Sequence, residues 1–188
     1  MSASLRRIST LLAAFGLLAL ALVGVQAATT QDAHAAGIQA TVCYNTSQAG
    51  QFAGTADQAA SIWTSRTNNV NMSKCGSNLM IYYTYGGGSY AVRYSLGNGY
   101  VVIDVYQAQQ YSPLRIMSHE MGHILGLPDN YNGNCAILMS GGSAGTGCTN
   151  PYPSSAEAAR VDQLFGGLTT ADVGPRVFSD SWPTKNAA

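Results

Sequence analysis

The sequence predicts a single domain of mixed α/β class, with a small sheet packed against about three helices. Its 188 residues are enough for one hydrophobic core, and 46% of them are hydrophobic while only 10% are charged, which argues against a disordered chain. The chain contains segments rich in Val, Ile and Tyr, which suit strands, and other segments whose apolar residues recur at helical spacing. The formal net charge is zero and basic residues cluster only near the N-terminus, so we expect no nucleic-acid partner.

The first 27 residues have the pattern of a secretory signal peptide. Arg6 and Arg7 precede an uncharged run rich in Leu and Ala, and small residues follow at positions 25 and 27. A second pair of small residues, at 33 and 35, leaves open a cleavage near residue 36 with a short pro-segment. A permanent membrane anchor is the alternative, but the apolar run is short for a membrane span. We therefore expect a secreted protein with no membrane association after cleavage.

Four segments of the remaining chain have the composition of strands, and three have the spacing of helices. Strands are predicted at residues 38–44, 78–85, 89–95 and 100–106, separated by glycine-rich turns. Helices are predicted at residues 56–66, 113–126 and 154–164. The domain is expected to span residues 38–166, and residues 167–188, which contain two prolines, to form an extended C-terminal tail.

Local signals mark the ends of two of these helices. Pro113 suits the first turn of a helix, where its missing N–H removes no hydrogen bond. Gly126 suits the end of the same helix, because glycine readily takes the left-handed conformation that reverses the chain. Ser154, with Glu157 three residues later, predicts a capping box at the start of the last helix.

Four cysteines, all beyond the predicted signal peptide, indicate two disulfides in a secreted chain. None forms a Cys-x-x-Cys pair, so a thiolate zinc site is not expected. Three pairings are possible. The Gly/Ser-rich loop between Cys135 and Cys148 favours that pair, which leaves Cys43 with Cys75.

Residues 119–129, His-Glu-Met-Gly-His-Ile-Leu-Gly-Leu-Pro-Asp, concentrate ionisable groups in a chain that has few of them. Residues four apart on a helix share one face, so His119 and His123 can both bind one zinc ion. Glu120 lies beside them and can accept a proton from a zinc-activated water. A lone His-Glu-x-x-His can be an ordinary solvated helix face. The added Gly126, which turns the chain back, and Asp129, which supplies a third ligand, favour the metal site.

This motif resembles the extended zinc signature of the metzincin metallopeptidases, with aspartate in place of the third histidine. Followed by Asn130 and Tyr131, it resembles the snapalysins, small secreted neutral proteases of Streptomyces-type bacteria. The segment Cys-Ala-Ile-Leu-Met-Ser-Gly-Gly at residues 135–142 resembles the methionine turn of that family. The similarity covers roughly residues 38–166 and is most specific between residues 115 and 153.

The resemblance assigns roles to the residues that match. It implies one zinc ion held by His119, His123 and Asp129, with Glu120 as the general base. Met139 would lie beneath the metal as an apolar floor. Tyr131 would donate a hydrogen bond to the developing oxyanion, although a tyrosine at this position can also serve only in packing.

The resemblance also bears on the fold and on a second ion. It implies a metzincin-like domain, in which a twisted, mostly parallel sheet packs on the zinc-binding helix. The substrate would lie along an edge strand, for which residues 95–105 are the candidate. Ser112 stands where the family has an acidic calcium ligand, which weakens the expectation of calcium.

Together these features predict a secreted zinc endopeptidase that acts as a monomer. Its expected partners are protein or peptide substrates, with a proteinaceous inhibitor as a further candidate. A zinc-stabilised binding module without catalysis is one alternative, but the presence of Glu120 argues against it, since a structural site needs no base. A metal-dependent amidase acting on cell-wall peptides is another alternative, and only a panel of substrates separates it from a protease.

Overall fold

The computed structural model describes residues 39–167, 174–179 and 182. The predicted signal peptide and most of the predicted tail lie outside these residues. The strands are β1 (Ala40–Gln48), β2 (Val70–Ser73), β3 (Leu79–Thr84), β4 (Tyr90–Ser95), β5 (Asn98–Asp104) and β6 (Arg176–Ser179). The α-helices are α1 (Ala53–Arg66), α2 (Val105–Ala108), α3 (Pro113–Ile124) and α4 (Ser155–Phe165), with 3₁₀ segments at Gly50–Phe52 and Leu138–Ala144.

The predicted mixed α/β class is confirmed, and the three predicted helices correspond to α1, α3 and α4. The sequence did not reveal α2, because the predicted strand at residues 100–106 ends at Asp104. The Asp104 carboxylate accepts a hydrogen bond from the Tyr106 N–H at 2.8 Å and so caps a single helical turn. Within the described residues, no helix is both long enough and apolar enough to cross a membrane.

The described strands form one sheet in the order β2-β1-β3-β5-β4-β6. The pairs β1–β2, β1–β3 and β3–β5 are parallel, whereas β4 is antiparallel to both β5 and β6. The prediction that residues 95–105 form an edge was therefore wrong. β5, which fills most of that range, has β3 on one side and β4 on the other.

The prediction of a simple extended tail at residues 167–188 also missed a structural element. Residues Arg176–Ser179 form β6, which pairs with β4 so that Phe178 lies opposite Ala91. This strand has only four residues, one turn signal before it and no alternation long enough to stand out in the sequence. Its pairing with β4 spans more than eighty residues of chain, which local patterns do not encode.

The core lies between the sheet and the two helices α1 and α3, which pack against each other. Trp63 on α1 is fully buried, and its indole N–H donates to the carbonyl of Ser118 on α3 at 2.9 Å. This hydrogen bond holds α3 against α1. Along α3, every residue from Arg115 to Ile124 is buried, so the helix that carries the zinc motif is enclosed on all sides.

Both disulfides favoured from the sequence are present, Cys43–Cys75 and Cys135–Cys148. The first connects Cys43, within β1, to Cys75 in the turn after β2. The second joins two cysteines that are 13 residues apart, and the loop between them contains the 3₁₀ segment Leu138–Ala144. It therefore restrains the loop that carries the predicted methionine turn.

Candidate active site

Helix α3 begins and ends as its sequence predicts. The Ser112 hydroxyl accepts a hydrogen bond from the Arg115 N–H at 3.4 Å, and Pro113 occupies the first turn. Gly126 has φ of 102°, a conformation that favours glycine, and the Leu127 N–H closes the helix end on the Gly122 carbonyl at 2.9 Å. The chain thus reverses and returns to the side of α3.

This reversal brings the three predicted ligands together. The Nε2 atoms of His119 and His123 lie 3.1 Å apart, and Asp129 Oδ1 lies 3.3 Å from each of them. Ligands held at 2.0–2.1 Å around a tetrahedral ion stand about 3.3 Å from one another. Within the described part of the chain, this is the group of three His, Cys, Asp or Glu side chains that could share a metal ion.

Hydrogen bonds on the far side of each imidazole orient the pair. His119 Nδ1 lies 3.0 Å from the Leu138 carbonyl, and His123 Nδ1 lies 2.9 Å from the Leu127 carbonyl. A carbonyl can only accept, so each Nδ1 carries a proton, and in the neutral imidazole Nε2 is then the nitrogen whose lone pair can bind a metal. Two lone pairs and a carboxylate oxygen thus converge on one point, an arrangement that a bound cation stabilises.

The carboxylate of Asp129 is suited to such a site. Burial raises the pKa of Asp129, but the neighbouring imidazoles of His119 and His123 outweigh that effect and hold the pKa well below its ordinary value. The group is therefore ionised at neutral pH.

Met139, which the resemblance predicts to form an apolar floor beneath the metal, packs against α3 at Gly122. Its side chain is buried, and a Cβ built on Gly122 would come within 2.8 Å of Met139 Sδ. The backbone N–H groups of Leu138 and Met139 donate to the Glu157 carboxylate at 3.1 and 2.8 Å. Glu157 also completes the predicted capping box with Ser154, so this glutamate joins α4 to the methionine turn.

Arg115 is a second support of that turn, and the sequence did not reveal it. Its fully buried guanidinium donates to the Asn150 carbonyl at 2.6 Å, the Ile137 carbonyl at 3.0 Å and Ser140 Oγ at 2.9 Å. Burial lowers the pKa of Arg115, which Glu157 partly offsets. The sequence did contain a signal for this role, an arginine within an otherwise apolar helix. A charged side chain is rarely buried unless several acceptors surround it, so such an arginine predicts a group of buried carbonyls nearby.

Glu120, the predicted general base, is fully buried beside the ligands. Its Oε1 accepts a hydrogen bond from Trp182 Nε1 at 2.9 Å, while its Oε2 accepts none from the described residues. Burial raises the pKa of Glu120 to about 7, against the opposing effects of His119 and of the Trp182 hydrogen bond.

The remaining predicted site residue is Tyr131. Tyr131 follows Asp129 by two positions and is 52% exposed, so it is not part of the buried cluster. Ser112, where the resemblance places a calcium ligand, acts as the N-cap of α3.

Two aromatic residues that the sequence did not connect with the site lie against the ligands. The Phe178 ring stacks on the His123 imidazole, with ring centroids 4.0 Å apart and planes 10° from parallel. The Trp182 ring meets His119 edge-on at 5.2 Å. Both aromatic residues are buried. The site is therefore covered by residues from the C-terminal end of the chain.

Residues 39–167 match the profile of the Streptomyces extracellular neutral proteinase (M7) family. The chain belongs to this family. The matched range contains Glu120, Met139 and the three converging side chains His119, His123 and Asp129, and it ends before β6 and Trp182.

Three proteins named "Extracellular small neutral protease" are similar to the chain. That of Streptomyces lividans is 44% identical over 128 residues, which are 66% of this chain and 56% of that protein. That of Streptomyces caespitosus is 45% identical over 128 residues, 66% of this chain and 96% of that protein. That of Streptomyces coelicolor is 43% identical over 143 residues, 74% of this chain and 66% of that protein. The chain thus matches little more than half the length of the S. lividans relative.

Proposed function

We propose that the chain is a secreted, zinc-dependent endopeptidase. The observation that carries the proposal is the convergence of two imidazole nitrogens and one carboxylate oxygen beside a buried glutamate. This geometry occurs in a member of the neutral proteinase family, whose relatives are named extracellular small neutral proteases. Protein or peptide chains outside the cell are the substrates that this implies.

Zinc is the metal that best suits the donor set. His119 Nε2, His123 Nε2 and Asp129 Oδ1 would hold one ion per chain, and three protein ligands leave a position open for water or substrate. Bound there, zinc would supply Lewis-acid chemistry, lowering the pKa of water and polarising the scissile carbonyl. The carbonyls of Leu138 and Leu127 hold the two imidazoles in the orientation that this requires.

Glu120 is the proposed general base. Its Oε2 would accept the proton of the attacking water and then deliver it to the leaving amine. Because the carboxylate is not one of the three proposed ligands, its basicity is available for proton transfer. Tyr131, at the exposed rim, is proposed to donate a hydrogen bond to the oxyanion of the tetrahedral intermediate.

The two alternative functions differ from this one in specific features. A structural zinc site usually closes with a fourth protein ligand. The described residues offer three ligand side chains at this point, and all four cysteines are in disulfides. An amidase acting on cell-wall peptides would use the same ligands, so casein and cell-wall peptides must be compared as substrates.

Casein hydrolysis by the purified mature protein tests the proposal. We expect hydrolysis with zinc present, its loss on adding a chelator and its return when zinc is restored. His123→Ala should lose both zinc and activity, because one ligand is removed. Full zinc occupancy in that variant would contradict the ligand assignment. Activity that survives complete removal of metal would contradict the mechanism.

A further inference from the structure

The side of β4 that faces away from β5 is paired with a short strand from the C-terminal part of the chain. Residues Tyr90–Arg93 of β4 pair there with Arg176–Ser179 in antiparallel register. Addition of a strand to a sheet edge is a common way for a protein to bind an extended peptide. The strand seated on β4 is therefore bound as a peptide ligand would be. We call the described residues 174–179 and 182 the C-terminal segment.

Two side chains of the C-terminal segment reach the catalytic groups. Phe178 stacks on the His123 imidazole at 4.0 Å between ring centroids. Trp182 lies against His119, and its indole N–H donates to Glu120 Oε1 at 2.9 Å. This bond occupies one oxygen of the proposed base. Phe178 and Trp182 are 5% and 1% exposed, and His119, Glu120 and His123 next to them are fully buried.

Polar groups of the domain hold the backbone of this segment near both of its ends. Arg93 Nε donates to the Gly174 carbonyl at 3.2 Å, while the same guanidinium donates through Nη1 to the His123 carbonyl at 3.0 Å. Gln107 Nε2 donates to the Trp182 carbonyl. These donors recognise backbone carbonyls, which every peptide possesses, rather than a particular side chain.

We propose that the C-terminal segment is an internal competitor that keeps the substrate cleft closed until it is displaced or removed. A substrate cannot pair with β4 while β6 is paired there, nor approach Glu120 while the Trp182 indole covers it. The segment lies beyond residues 39–167, the range that matches the family profile. The inhibitory consequence rests on the proposed peptidase function, whereas the binding of the segment in the cleft does not.

The segment also defines the chemistry of the ligand that competes with it. That ligand is an extended peptide with one aromatic side chain to stack on His123 and another, four residues later, to cover Glu120. The two positions correspond to Phe178 and Trp182.

Full-length variants test the proposal through binding and hydrolysis. Phe178→Ala and Trp182→Ala each weaken the hold of the segment, and Val177→Ala is the matched control because Val177 is 64% exposed on the same strand. Affinity for a fluorescein-labelled extended aromatic peptide is measured by anisotropy on metal-free protein, where no hydrolysis occurs.

Casein hydrolysis is measured on zinc-loaded protein. Molecules whose site is closed cannot bind the peptide, so the apparent affinity falls as the closed fraction rises. We therefore expect at least about a tenfold gain in affinity in the double variant Phe178→Ala/Trp182→Ala. Val177→Ala should change neither quantity.

The unaltered protein provides a readout that does not depend on the variants folding. Both tryptophans are buried, and displacement of the segment would expose Trp182 while Trp63 stays in the core. Adding excess aromatic peptide should therefore increase acrylamide quenching of tryptophan fluorescence. A synthetic peptide of residues 174–188 should compete with the labelled peptide for the double variant, and the same peptide with alanine at both aromatic positions should not.

The outcomes separate the two proposals. Tighter peptide binding without casein hydrolysis in any form would support the C-terminal segment as a competitor and contradict the peptidase function. Hydrolysis with equal affinity and equal rate in the unaltered and double-variant proteins would support the peptidase and overturn the competitor. Unchanged quenching on adding excess peptide would also overturn it.

Discussion

The thioether of Met139 lies against the backbone of Gly122, so close that a Cβ on Gly122 would stand 2.8 Å from Met139 Sδ and 3.1 Å from Trp63 Cζ2. Helix α3, which carries His119 and His123, therefore packs against the loop of Met139 with no room for a side chain between them. Gly122 is the residue between the two histidines at which this close approach occurs.

Replacing Gly122 by alanine should not give the stabilisation that a glycine-to-alanine change usually gives within a helix. Alanine is favoured over glycine in a helix by up to about 1 kcal/mol. Gly54 on α1 is the matched control, since nothing lies within 4 Å of a Cβ built there. We expect Gly54→Ala to raise the free energy of unfolding in urea. Gly122→Ala should gain nothing or lose stability, because Met139 must move. Equal stabilisation by both changes would show that the contact is not tight.

Arg115→Met should weaken both the fold and the metal site. The change leaves buried carbonyls of the methionine-turn loop without a donor, at a cost of about 1–3 kcal/mol for each unsatisfied group. Because Leu138 in that loop orients His119, zinc affinity should fall about 10–100-fold. The control is Arg66→Met. The exposed guanidinium of Arg66 stacks on the Tyr152 ring, and losing this contact should cost about 1 kcal/mol or less of stability. Urea unfolding and zinc titration measure the two effects, and unchanged zinc affinity in Arg115→Met would contradict this role.

The two disulfides should separate stability from metal binding. Removing either by double serine substitution should lower the free energy of unfolding by about 3 kcal/mol, as expected for loops of this size. Only loss of Cys135–Cys148 should also reduce zinc affinity, because that loop contains Leu138 and Met139. Loss of Cys43–Cys75 serves as the matched comparison. Equal zinc affinity in the two double variants would contradict the link between this loop and the metal.

Tyr131→Phe should reduce casein hydrolysis by about 10²–10³-fold or less, because the loss of one hydrogen-bond donor leaves other stabilisation of the oxyanion in place. Zinc content should not change, since the phenol is not a proposed ligand. Tyr152→Phe is the control, because Tyr152 is also a partly exposed tyrosine and lies outside the ligand cluster. Equal rates in the two variants would assign Tyr131 a packing role only.

The features that the sequence predicted correctly depend on residues that lie close together in the chain. Helical spacing placed His119 beside His123, and Gly126 marked the reversal that returns Asp129. The capping box of Ser154 with Glu157 was likewise local.

The features that it missed depend on contacts between distant segments. Trp182 meets Glu120 across 62 residues of sequence. Arg115 reaches acceptors that lie 20 to 35 residues further along the chain. The edge strand was misplaced for the same reason, because the order of strands is set by long-range pairing. β6 itself was too short to register as a strand.

The most direct test of the central claim is to measure zinc content and casein hydrolysis in Glu120→Gln. The change keeps the size of the side chain and removes the basic carboxylate, while His119, His123 and Asp129 remain. General acid–base catalysis is typically worth about 10²–10⁴-fold, so hydrolysis should fall by at least that factor. The comparison is made in the unaltered chain and in the Phe178→Ala/Trp182→Ala background, so that a covered site cannot mask the effect. We predict one zinc per chain with the rate reduced in both backgrounds, and near-normal hydrolysis by zinc-loaded Glu120→Gln would contradict the account.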